Sequence, residues 1–93
     1  NSELGYEIFF RILSMLINEA SDAVFMNVAS VVDIDTAMTN GVNYPKGLLK
    51  WADEIGIEKV FDNIAMLHEE YSEERYRPCP LLKRMVRNNK SFY

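Results

Sequence analysis

The stretch from Tyr6 to Asn27 leaves this chain few choices of fold. It contains neither proline nor glycine, and its polar residues recur at helical spacing. Glu7, Arg11, Ser14, Asn18 and Asp22 follow one another every three or four positions, with Glu19 and Ser21 beside them. That is one narrow polar stripe, expected to lie in water. The rest of the circumference is apolar: Ile8, Phe9, Phe10, Ile12, Leu13, Met15, Leu16, Ile17, Ala20, Ala23, Val24 and Phe25. Such a helix must bury well over half its surface, since each buried methylene contributes about 0.8 kcal/mol. It belongs either at the centre of a bundle or between its own domain and a partner.

The remaining chain reads as what covers it. Ser30, with Asp33 three residues on, has the pattern of an N-cap and predicts a second helix to about Asn40, with Val31, Ile34, Ala37 and Met38 inward. Gly41 is placed to be the left-handed residue that ends it. Residues 42–47, which include Pro45 and Gly47, predict a turn. A third helix is expected over Leu48 to Ile55, ended by Gly56, and a fourth over Glu58 to Tyr71, burying Val60, Phe61, Ile64, Leu67 and Tyr71. Ser72 to Arg77 reads as a polar loop. A last helix starts near Pro78 or Pro80 and packs Leu81, Leu82, Met85 and Val86. No segment alternates with period two for long enough to be a strand. The expected fold is all-α, about five helices in one compact domain over residues 1–93.

At 93 residues and 48% hydrophobic content, the chain is a globular domain near the lower size limit for folding alone. Arg11, Asn18 and Glu19 interrupt the longest apolar run, so no membrane span is expected, and no signal peptide is visible. Its first residue is Asn1, and we expect a fragment of a longer protein. The single cysteine, Cys79, fits a reducing, cytoplasmic setting. Charge is divided unevenly. Residues 1–71 hold four basic against twelve acidic side chains, and residues 72–93 hold six basic against two acidic. The acidic body disfavours nucleic acid, and the basic tail reads as the solvated face of a terminal helix.

Little chemistry is visible. The only histidine, His68, is far in sequence from Cys79, and no nucleophile–base pair suggests itself. Asp33-Ile34-Asp35 opens like a calcium loop, but Met38 stands where that loop needs glycine and Tyr44 where it needs glutamate. The four glycines, Gly5, Gly41, Gly47 and Gly56, are too dispersed to cradle a phosphate. No catalytic, cofactor-binding or metal-ligating residue is therefore expected. On residues alone the reading is a helical module with an assembly or substrate-covering role, a free-standing interaction module being the alternative.

Arg11, Leu16-Ile17-Asn18-Glu19-Ala20, Val28-Ala29-Ser30, Asp33-Ile34-Asp35-x-Ala37-Met38 and Gly41-Val42-Asn43-Tyr44-Pro45-x-Gly47 occur in that order. Trp51-Ala52-Asp53-x-Ile55-Gly56, Arg75-Tyr76-Arg77-Pro78-x-Pro80-Leu81-Leu82 and Phe92-Tyr93 follow. Together, over nearly the whole chain, they resemble the C-terminal helical domain of 3-hydroxyacyl-CoA dehydrogenases, most of all those carrying two copies of it. The resemblance implies a parent enzyme oxidising (S)-3-hydroxyacyl-CoA to 3-ketoacyl-CoA in fatty-acid or aromatic-acid degradation. NAD would be bound by a Rossmann domain absent from this sequence, and a His–Glu dyad there would do the proton transfer. The helical domain would close over the acyl chain and form the dimer.

The family carries an active-site Asn directly before the arginine matching Arg11, and here that position is Phe10. Leu48 stands where a proline is usual, and the glycines expected before Phe92-Tyr93 are missing. A phenyl ring neither donates nor accepts the amide's hydrogen bonds. The departures imply a copy used for packing, inactive alone, with Phe9, Phe10, Leu13 and Ile17 facing a sister copy in cis or in a homodimer.

Overall fold

A computed structural model describes residues 2–93 and, for Ser2, the backbone alone. Five α-helices follow in order: α1 (Ser2–Phe25), α2 (Val31–Gly41), α3 (Leu48–Ile55), α4 (Ile57–Tyr71) and α5 (Pro80–Asn88), with a 3-10 turn at Glu74–Tyr76. There is no strand among the described residues. The expected all-α domain is observed.

Helix α1 is the axis. It packs against α3, α4 and α5, while α2 lies on α3. Leu13 and Ile17 from α1 meet Leu48, Leu49 and Ala52 of α3, Ile57 and Val60 of α4, and Leu82 and Met85 of α5 in one core. Asn27 ends α1 in the left-handed conformation (φ 60°), and the Val28 amide donates back to the Ala23 carbonyl at 2.9 Å. Asparagine thus stands in the position that glycine usually takes at a helix end.

Ser30 caps α2 as expected, its hydroxyl accepting from the Asp33 amide at 3.1 Å. The end of α2 differs from the sequence reading. Gly41 is still helical, and Asn43 (φ 57°) takes the left-handed conformation, with the Tyr44 amide donating to the Met38 carbonyl. An asparagine side chain tolerates that region well enough to displace the stop by two residues.

Helices α3 and α4 are separated by Gly56 alone, whose φ of 113° is closed to other residues. The segment expected to be a polar loop contains a second departure. Tyr76 is fully buried within the 3-10 turn. Pro80 occupies the first turn of α5, where its missing N–H costs nothing.

Candidate functional site

The polar stripe of α1 faces water only in part: Glu7, Glu19 and Asp22 are exposed, but its middle turns inward. Ser14 and Ser21 are fully buried and Asn18 nearly so. Asn18 explains why. Its Nδ2 donates to the Arg77 carbonyl at 2.9 Å, and its Oδ1 accepts from the Cys79 amide at 2.8 Å. One side chain thereby satisfies both backbone groups flanking Pro78, in the segment that leads into α5. Ser21 donates to the Ile17 carbonyl at 2.7 Å, and the Ser14 hydroxyl is buried without a partner.

Arg11, half-buried, lies against the rings of Tyr71 and Tyr76, 5.0 and 5.7 Å from their centroids, and donates to the Tyr76 hydroxyl at 2.9 Å. That hydrogen bond raises its already high pKa further, against the opposing pull of burial. This seam is what the sequence reading placed in solvent. Each of its polar groups except the Ser14 hydroxyl has a protein partner waiting.

Next to this seam, the outer face of α1 is apolar and about half exposed. Leu4, Ile8 and Ile12 succeed one another at four-residue intervals, each about half exposed, and Phe9 beside them is 49% exposed. Such a run on one helix face is a contiguous apolar patch, the signature of an interaction surface. It borders a groove of about 240 Å³ walled by Phe9, Ile12 and Leu16 from α1, by Tyr44 and Pro45 from the 42–47 turn, and by Trp51 from α3. The Phe9 and Trp51 rings meet at 5.7 Å in a tilted pair. Lys46 sits over the same indole at 5.7 Å and pairs with Glu54, whose carboxyl it holds below the ordinary range.

The four residues expected to face a sister copy therefore divide. Phe9 is on the open face. Phe10 is half-buried on the side toward α3 and α4, its ring beside that of Tyr6 at 6.3 Å. Leu13 and Ile17 are 3% and 0% exposed and pack among α3, α4 and α5, which leaves them little surface for a partner, although Leu13 also lines the groove. Ile8 and Ile12, one residue earlier than Phe9 and Leu13, hold exposed places.

A buried carboxylate organises the turn beside the groove. Asp35 on α2 accepts from the Leu49 and Lys50 amides, both at 2.9 Å. Those are the second and third residues of α3, whose own N-cap, Gly47, has no side chain to offer. A Cβ on Gly47 would run into the Asp35 carboxyl. In the sequence Asp35 stands out only within a failed calcium loop and a family-like motif; in the fold Asp33 is exposed while Asp35 is buried.

Burial pushes the Cys79 thiol above its ordinary pKa, which opposes thiolate formation. No group of three or more metal-ligating side chains occurs among the described residues, and no helix there is long and apolar enough to cross a membrane.

The profile described as "3-hydroxyacyl-CoA dehydrogenase, C-terminal domain" matches residues 8–91. The chain is 49% identical over 76 residues to a 3-hydroxyadipyl-CoA dehydrogenase of Escherichia coli, covering 82% of this chain and 16% of that protein. It is 42% identical over 76 residues to a 3-hydroxybutyryl-CoA dehydrogenase of Bradyrhizobium diazoefficiens, covering 82% and 26% respectively. Among solved structures, (S)-3-hydroxybutyryl-CoA dehydrogenase from Ralstonia eutropha superposes with a TM-score of 0.85 at 33% identity, covering 89% of this chain and 32% of that one. The 3-hydroxybutyryl-CoA dehydrogenase of Escherichia coli K12 gives 0.81 at 47% identity, covering 84% and 16%. The chain thus spans between about a sixth and a third of the length of these relatives.

Proposed function

We propose a function from one premise: the chain belongs to the family of 3-hydroxyacyl-CoA dehydrogenase C-terminal domains. In this reading it is the helical part of an NAD-dependent enzyme of the cytoplasm. That enzyme oxidises (S)-3-hydroxyacyl-CoA to 3-ketoacyl-CoA in fatty-acid or aromatic-acid degradation. The domain itself binds a sister copy, in cis or as a homodimer, packs on the Rossmann domain, and supplies an apolar wall for the acyl chain.

The observation that carries this is the outer face of α1, where Leu4, Ile8, Phe9 and Ile12 stand half exposed in one row beside the groove. A hydrocarbon surface of that kind gains free energy only when something covers it. A sister copy or an acyl chain does so without a polar partner. A free-standing interaction module explains the same face less well, because the family match runs through all five helices.

The start of α3 offers NAD no place. A pyrophosphate needs free amides at a helix N-terminus behind a glycine-rich turn. At α3 the glycine is present, but the Asp35 carboxylate already fills the space beside Gly47 and takes the amides of Leu49 and Lys50. A second anion there would meet a negative charge. The cofactor in this reading belongs to the Rossmann domain, and the role left to Phe10 is apolar contact.

Light scattering on the chain tests the association. The unmodified chain is expected to self-associate as concentration rises, and Phe9→Glu to be monomeric throughout, with its helical circular dichroism retained. A chain that stays monomeric at high concentration overturns the reading. So does a Phe9→Glu variant that still dimerises.

A further inference from the structure

Residues 92 and 93 run back from α5 across α3 and are held there by directed polar contacts. The amides of Phe92 and Tyr93 donate one each to the two carboxylate oxygens of Asp53, at 2.8 and 2.9 Å. The Tyr93 hydroxyl donates to Asp35 Oδ2 at 2.8 Å, and the Lys50 ammonium lies over the Tyr93 ring at 5.6 Å. Tyr93 is 57% exposed, so apolar burial does not explain its place. Hydrogen bonds to a carboxylate are the stronger kind, and three of them converge on this dipeptide.

The same Asp35 oxygen that takes the Tyr93 hydroxyl also takes the Lys50 amide, while the other takes Leu49. We propose that Phe92-Tyr93 is a clasp that fixes the Asp35 cap on α3. Through that cap it sets the Tyr44–Pro45–Trp51 wall of the groove against α1. Tyr93 and Asp53 are positioning residues for that wall. What the groove receives rests on the association reading, whereas the clasp itself does not.

The path from clasp to groove is short. Asp35 anchors the start of α3 immediately after the 42–47 turn that carries Tyr44 and Pro45. The Trp51 amide donates to the Gly47 carbonyl at 2.9 Å, closing the first turn of α3. The indole therefore moves with whatever the cap does, and its contact with Phe9 carries that movement to α1. The phenol shows the same environment. Partial loss of water around the hydroxyl first, then the hydrogen bond to Asp35 and the charges of Asp35 and Asp53, push Tyr93 up to about 12 although its ring stays exposed.

Tyr93→Phe in the full chain keeps the ring and its contact with Lys50 and removes only the hydroxyl. Hydrogen exchange at the Leu49 and Lys50 amides is expected to speed about tenfold, the effect of losing one hydrogen bond to a charged acceptor. Amides in the core turns of α1 and α4 should exchange at unchanged rates. Acrylamide should quench Trp51, the only tryptophan, more strongly. Asp53→Asn, which leaves one of its two acceptor oxygens, should give the same local pattern and serves if the first variant folds poorly. Unchanged rates at Leu49 and Lys50, or a rise shared equally by the core, would overturn the clasp. Neither readout requires a bound partner, so the clasp and the association reading fail separately.

Discussion

Along α1 two faces carry the opposite of what their neighbourhoods ordinarily hold. Leu4, Ile8, Phe9 and Ile12 stand in solvent on the outer side of the first turns, whereas Ser14, Asn18 and Ser21 lie buried on the inner side of the middle turns. Apolarity did not decide which side faces inward. Asn18 goes in because the chain on either side of Pro78 offers an N–H and a carbonyl that nothing else satisfies. Ile8 and Ile12 stay out because α3, α4 and α5 already occupy the face carrying Leu13 and Ile17. Burial here follows the availability of partners within the chain, and the face left over is the one offered to something else.

The largest effect expected from disturbing this contrast is at Leu13. At 3% exposure it is a core residue, so Leu13→Glu should unfold the chain, at a cost of about 4 kcal/mol or more. Loss of the cooperative thermal transition by circular dichroism checks this. A folded, soluble Leu13→Glu chain would mean that Leu13 lies on a partner surface after all.

Asn18→Ala comes next. It leaves the Arg77 carbonyl and the Cys79 amide without partners in a buried setting, and about 2–4 kcal/mol of stability should be lost in urea unfolding. Gly47→Ala belongs in the same range, about 2 kcal/mol, because its methyl group would collide with the carboxyl that caps α3. Ser14→Ala, three residues before Ile17 on the same inner side, is the control. Its hydroxyl is buried without a partner, so its removal should be neutral or stabilise by up to about 1 kcal/mol. If Ser14→Ala destabilised as much as Asn18→Ala, the inner side would be a continuous polar network rather than a single bridging amide.

These positions also mark how far the sequence could be read. Helix boundaries were legible within one or two residues at α3 and at the starts of α2 and α5, because Ser30, Gly56 and Pro80 act through their own backbone and caps. For α1, spacing located the polar stripe, and Glu7, Glu19 and Asp22 do lie in water, but Ser14, Asn18 and Ser21 turn inward. The partners of Asn18 lie 59 and 61 residues away and follow no local rule. The buried Tyr76 was hidden for the same reason, since its hydroxyl meets Arg11, 65 residues away. Asp35 was legible only as part of a family-like motif. Its work on α3 depends on a glycine twelve residues later being small enough to admit it. At the candidate site, that Ile12 is exposed while Leu13 is buried could be told only from the packing.

The smallest effect on folding, and the sharpest on association, is expected at Ile12. Its side chain is 53% exposed, so Ile12→Glu exchanges one solvated side chain for another and should alter the unfolding free energy by no more than about 0.5 kcal/mol. In a dimer built on this face the same carboxylate would be desolvated opposite hydrocarbon, a penalty of several kcal/mol, which weakens association by a factor of about a thousand or more. Sedimentation equilibrium beside urea unfolding separates the two quantities. A variant with wild-type stability and no self-association places the interface on the outer face of α1. Equal loss of both would return Ile12 to the core and make that face ordinary.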